Sequence, residues 1–116
     1  MMSEATVRLA DDEVEKLAEL HGKAAHAVEL LKAMANEWRL MILCQLADGE
    51  KTVSELQESL GLSQSALSQH LAILREQGLV KTRRESQTIY YSLADTAAIS
   101  LIHTLHDIYC KPRGGC

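Results

Sequence analysis

The stretch LGLSQSALSQHLAILREQGLV, residues 60–80, decides the fold. Gly61 stops one helix, and Ser63, two residues on, is a good N-cap for the next. From there Ala66, Leu67, Leu71 and Leu74 recur at helical spacing and define a buried stripe. Gln64, Ser65, Ser68, Gln69 and, more laterally, His70 fall on the opposite side, and Gly78 ends the run. Short neutral donors and acceptors on one face suit base edges in a major groove, and the free N–H groups near Ser63 suit a phosphate. The competing reading is an ordinary solvated helix face.

Both flanks agree with the first reading. Upstream, TVSELQESLG (52–61) places Thr52 and Glu55 at capping-box spacing, with Leu56 and Leu60 as the buried side. Two short helices joined by a glycine-containing turn make a helix-turn-helix. Downstream the period changes. Val80, Thr82 and Arg84 alternate with Lys81 and Arg83, then Ile89, Tyr91 and Leu93 alternate with Tyr90 and Ser92. Polar Glu85-Ser86-Gln87 lies between, which predicts a β-hairpin. The hairpin offers Arg83, Arg84 and Gln87 to phosphates or to a neighbouring minor groove. Tyr91 alternates with the apolar set and reads as core.

Further helices surround this unit. Asp11 and Asp12 are placed to cap the first, supported by Glu15, and Val14, Leu17, Val28, Leu31 and Met34 recur along it, with Gly22 bending or interrupting it. Asn36 caps the next, which carries Leu40, Leu43, Cys44 and Leu46 and ends at Asp48-Gly49. Asp95 caps the last, with Ala98, Ile99, Ile102, Leu105 and Tyr109 on one side; Pro112 and two glycines end regular structure. The expected fold is mainly α with a small β-hairpin wing: a winged helix-turn-helix over residues 11–110, between a disordered tail (1–10) and a flexible one (111–116). The outer helices are too apolar for the surface of a monomer, so a homodimer through the first and last helices is expected.

Composition narrows the function. A chain of 116 residues makes one domain with a modest core. No apolar run reaches the length of a membrane span, and MMSEATVRLADDEVEK lacks the pattern of a secretory signal. Three cysteines without framework spacing argue against a stapled secreted domain. These features point to a cytoplasmic protein with free thiols. The net charge is −4, but 12 of the 16 acids lie in residues 1–62, whereas residues 63–94 are net positive. A local basic face on an acidic protein is compatible with binding double-stranded DNA. No oxyanion donor set, Gly-rich phosphate loop or acid–base pair accompanies the cysteines, so no enzyme and no cofactor is expected.

At this level of detail the chain resembles a family. LLKAMANEWRLMILCQL (30–46), the recognition segment 60–80 and QTIYYSL (87–93) are similar to the ArsR/SmtB repressors, dimeric winged helix-turn-helix proteins whose operator affinity falls when an inducer binds. The resemblance covers about residues 27–110. It assigns DNA contacts to Gln64, Ser65, Ser68, Gln69 and His70, with Arg84 and Gln87 in the wing. Trp38 departs from the smaller or polar residue of many relatives.

The resemblance also frames what is sensed. One branch holds metal on the third helix through Cys-x-Cys, but here that helix reads VSELQESLG, without thiol or histidine. Another pairs Asp-x-His with His-x-x-His on the last helix. Here His103 and His106 keep the second spacing, but Asp95-Thr96-Ala97 lacks the first histidine, so no metal site is expected. The positions of Cys44 and Cys110 resemble the HlyU, SqrR, BigR and YgaV branch. There two cysteines respond to persulfides, polysulfides or oxidants by an intraprotomer link. By this resemblance Cys44 and Cys110 are the sensing pair. Cys110, with Lys111, Arg113 and His106 near it, is expected to attack first, and Cys44, among Ile42, Leu43 and Leu46, to resolve. The bland alternative for Cys44 is a small core residue. The runner-up function is an arsenite- or cadmium-responsive repressor using Cys44, Cys110 and Cys116.

Overall fold

A computed structural model describes residues 9–94 and 96–110. The elements run α1 (Asp11–His21), α2 (Ala24–Met34), α3 (Glu37–Leu46), β1 (Lys51–Thr52), α4 (Val53–Leu60), α5 (Gln64–Glu76), β2 (Val80–Glu85), β3 (Thr88–Leu93) and α6 (Thr96–Tyr109). This is the expected winged helix-turn-helix with additional helices. Residues 1–8 and 111–116 of the expected tails, Asp95 as a cap, and Cys116 lie outside the described residues.

The local signals act as their chemistry demands. Asn36 Oδ1 accepts the Arg39 N–H at 3.0 Å and starts α3. Thr52 and Glu55 close a reciprocal capping box, at 2.8 and 3.1 Å, and start α4. Gly61 then takes the left-handed conformation (φ 72°), which a side chain would disfavour, and so allows the sharp turn into α5. Ser63 Oγ accepts the Ala66 N–H at 3.2 Å as the α5 cap.

At the N-terminus the cap falls one residue earlier than expected. The Glu13 carboxylate accepts the Ala10 N–H at 2.9 Å, so Asp11 and Asp12 lie inside the first turn, where their charge favours the helix dipole. Gly22 separates two helices, α1 and α2, where one interrupted helix was expected.

The wing is one strand larger than expected. β1, only two residues long, pairs antiparallel with β3 through Lys51↔Tyr91 and Thr52↔Tyr90. The sheet order is β1-β3-β2. Glu85 pairs with Thr88, so the hairpin turn is Ser86-Gln87 alone, with Ser86 in the left-handed region at φ 58°.

One core holds the elements together. It contains Ala33 and Met34 from α2, Ile42, Leu43 and Leu46 from α3, Leu56, Leu67, Leu71 and Leu74 from the helix-turn-helix, Leu79 and Val80, and Ala98 and Ile102 from α6. Tyr91 packs against it, as expected. Tyr109, expected on the buried side of α6, is 74% exposed instead. Val14, Leu17, Leu20, Val28 and Leu31 on α1 and α2 are exposed apolar side chains, and α1 buries no residue at all. Among the described residues no helix is long and apolar enough to cross a membrane.

Candidate functional site

The recognition face is built by burying the other side of α5. Leu67, Leu71 and Leu74 are buried, which turns Gln64, Ser65, Ser68 and Gln69 outward, all exposed. Ser63 is exposed but its hydroxyl serves the cap. His70 departs from this group. It is half-buried, and its Nδ1 is shielded from solvent without a hydrogen-bond partner among the described residues. Partial burial, and then the nearby Arg39 charge, push its pKa below the ordinary histidine value. The imidazole is therefore held toward its neutral form. Arg39 itself is anchored by Nε to the Ala33 carbonyl at 2.7 Å and by Nη2 to the Lys32 carbonyl at 3.3 Å.

The wing presents its two arginines differently. Alternation in β2 puts Val80, Thr82 and Arg84 on one face, and Lys81, Arg83 and Glu85 on the other. Arg84 and Gln87 are exposed, and Arg84 makes no ion pair among the described residues. Arg83 is engaged. Its Nε and Nη2 donate to the two Glu50 oxygens, both at 2.9 Å, and Nη1 donates to Glu85 at 3.1 Å. Its guanidinium also lies 4.5 Å from the Tyr90 ring centroid. Arg83, which the sequence offers to phosphates or a minor groove, is held between two carboxylates in the DNA-free fold. Glu50 is the residue that reading the sequence missed. It is 33 positions from Arg83, and no local spacing could have joined them.

The thiols occupy a second region. Cys44 and Cys110 line one apolar groove of about 310 Å³ with Leu40, Ile102, Leu105, His106 and Tyr109. His106 lines the groove beside Cys110, as expected, while Lys111 and Arg113 lie outside the described residues. Cys44 sits beside the buried Ile42, Leu43 and Leu46 but points the other way on α3, and it is an exposed free thiol. Its contact with the groove wall still withdraws it partly from water, and that burial pushes its pKa up. Cys110 is only 2% exposed and is disulfide-bonded. Since Cys44 is free, a Cys44–Cys110 bond is not what occupies it. His103 and His106 are exposed on α6.

A small-residue turn between two capped helices, a polar recognition face and a three-stranded wing define a winged helix-turn-helix DNA-binding protein. The comparisons then name the family. Residues 36–82 match the model described as "Bacterial regulatory protein, arsR family". The transcriptional activator HlyU of Vibrio cholerae is 57% identical, over 82% of this chain and 88% of that protein. A solved structure of reduced HlyU from the same organism has a TM-score of 0.75, covering 80% of this chain and 98% of that one. The biofilm growth-associated repressor of Agrobacterium fabrum is 45% identical, over 84% of this chain and 83% of that protein. The homodimeric winged helix-turn-helix DNA-binding domain Mb0332 of Mycobacterium bovis has a TM-score of 0.67 at 28% identity, covering 89% of each chain. The chain belongs to the ArsR family, and it is a DNA-binding transcriptional regulator.

Proposed function

We propose that the protein is a cytoplasmic, non-enzymatic, homodimeric repressor whose operator affinity is switched through Cys44 and Cys110 by persulfides, polysulfides or oxidants. The observation that carries this reading is the shared groove: residues 66 positions apart in the chain line one apolar cleft between α3 and α6. A relative 57% identical has a solved structure of its reduced form, which agrees with redox sensitivity. Relatives include both an activator and a repressor; direct repression is the simpler consequence of occupying an operator. The homodimer is supported by the exposed apolar side chains of α1 and α2 and by two apolar grooves, one lined by Leu31, Met34, Leu40, Leu101 and Leu105, the other by Leu30, Leu31, Ala97 and Leu101. One relative is itself homodimeric.

The chemistry starts from the fully reduced protein. Exposure makes Cys44 the first thiol to meet an inducer, the reverse of the order expected from the chain, while its raised pKa keeps the thiolate fraction low at neutral pH. The Cys44 thiolate attacks a sulfane sulfur of a polysulfide and expels the shortened polysulfide, leaving a Cys44 persulfide. The Cys110 thiolate attacks the sulfur attached to Cys44 and expels hydrosulfide, closing a disulfide. If a longer sulfur chain remains on Cys44, attack at an inner sulfur closes a tri- or tetrasulfide. In each case two thiols are oxidised and the polysulfide is reduced. A bias of about 1–3 kcal/mol between two dimer geometries suffices to change DNA affinity roughly 5–150-fold.

Intact-mass analysis of reduced protein after polysulfide, peroxide or arsenite, paired with operator binding, tests this. Loss of response in Cys44→Ser and Cys110→Ser, but not in Cys116→Ser, is expected. A response that needs all three cysteines, with arsenite as inducer, replaces the dithiol switch by the metalloid reading.

A further inference from the structure

We propose that Glu50 is a positioning residue for operator binding: through Arg83 it latches the wing across the sheet to the segment that follows α3, and Arg83 is the latch and not a phosphate contact. The inference rests on the reading of α5 and the wing as the operator surface.

The register shows what the latch spans. Arg83 on β2 faces Tyr90 on β3, and Tyr90 faces Thr52 on β1. The guanidinium lies over the Tyr90 ring and reaches past it to Glu50, two residues before Thr52. A single side chain therefore crosses all three strands. The grip is bidentate, the geometry in which a planar guanidinium is both strongest and most directional. Glu85, on the same strand face as Arg83, takes a third N–H.

The charge count favours a latch over a phosphate contact. One guanidinium stands between two carboxylates, and with Lys81 beside them the cluster sums to zero, so it offers a phosphate no net attraction. The nearby Lys81 adds to the hold on Glu50. On the opposite face of the same strand Arg84 has no such ion pair among the described residues, so the two neighbouring arginines divide the work. The latch also matters for signalling. Glu50 lies only four residues beyond the end of α3, the helix that carries Cys44, so a shift of that helix end is passed to the wing.

Two substitutions separate the roles by sign. The duplex is one selected from random-sequence DNA by the wild-type protein, and binding is measured over a salt series. If Arg83 is a latch, Glu50→Gln and Arg83→Lys each weaken binding about 2- to 5-fold, the effect of one exposed but well-ordered ion pair. The double variant is then no weaker than either single one. If Arg83 instead touches phosphate, Glu50→Gln frees it and tightens binding, and Arg83→Lys binds nearly as well as wild type; either result overturns the proposal. Hydrogen exchange in the DNA-free protein gives an independent readout. The β2 and β3 amides should exchange faster in both variants, with α4 and α5 unchanged, and unaltered wing exchange also overturns the latch. A wild type that selects no duplex overturns the operator reading and the positioning role with it, and the exchange data tell that failure apart from failure of the latch.

Discussion

The recognition helix and the wing use the same kinds of residue to opposite ends. On α5, Gln64, Ser65, Ser68 and Gln69 point outward from a fully apolar underside and remain open to a partner. On the outer face of the wing, Arg83 is as polar and as exposed, yet its hydrogen-bonding capacity is turned inward onto Glu50 and Glu85. Charge present in a segment is therefore not the same as charge offered to a ligand. Fixed neighbours decide the difference, and they come from distant parts of the chain.

The comparison breaks most severely at the support beneath α5. Leu67 is 0% exposed, so Leu67→Ala should cost about 2–5 kcal/mol, seen as a lower thermal midpoint together with lost operator binding. An unchanged midpoint would mean that this side chain does not hold the recognition face. Next comes the face itself. Gln69→Ala should weaken discrimination among operator bases by about 1–3 kcal/mol while leaving thermal unfolding where it was. Equal losses on specific and random DNA would show Gln69 to be a backbone contact.

Smaller effects sharpen the contrast. Thr52→Ala removes half of the capping box and should lower stability by about 1 kcal/mol, measured by urea unfolding. Arg84→Ala should reduce the slope of log affinity against log salt by about 1, as expected for one lost phosphate contact, whereas Arg83→Ala should leave that slope intact. The weakest expected signal is in pH. The His70 pKa is lowered in the fold, so the unfolded chain takes up its proton first. Its contribution to stability is present above about pH 6.5, the ordinary histidine value, and is lost as pH falls through the depressed one. His70→Gln should flatten that part of the stability profile. For Glu50 the pKa is also lowered, chiefly by its hydrogen bonds from Arg83, so the latch holds through neutral pH and releases only as acid takes it below the usual carboxylate range.

Much of the architecture was legible along the chain because its signals are local. A capping box needs residues three apart, a left-handed glycine needs only itself, and a change of period from helix to strand shows within a dozen positions. β1 escaped because two residues cannot display a period. The orientation of Cys44 escaped for another reason. The segment LMILCQL (40–46) is apolar at almost every position, so no pattern tells the inner side of α3 from the outer. Packing of Ile42, Leu43 and Leu46 into the core turned Cys44 toward the groove and α6. Cys110, which the sequence places only at a helix end, is one of the most deeply buried side chains.

What the amino-acid sequence by itself determined is therefore most of the elements and the class of protein, because caps, turns and periodicities depend on neighbours within a few residues. The tertiary structure alone decided which arginine is engaged, which cysteine is exposed, and that Cys44 and Cys110 share one cleft. Those properties depend on the proximity of residues 33 and 66 positions apart, and only the packing of the common core brings such residues together.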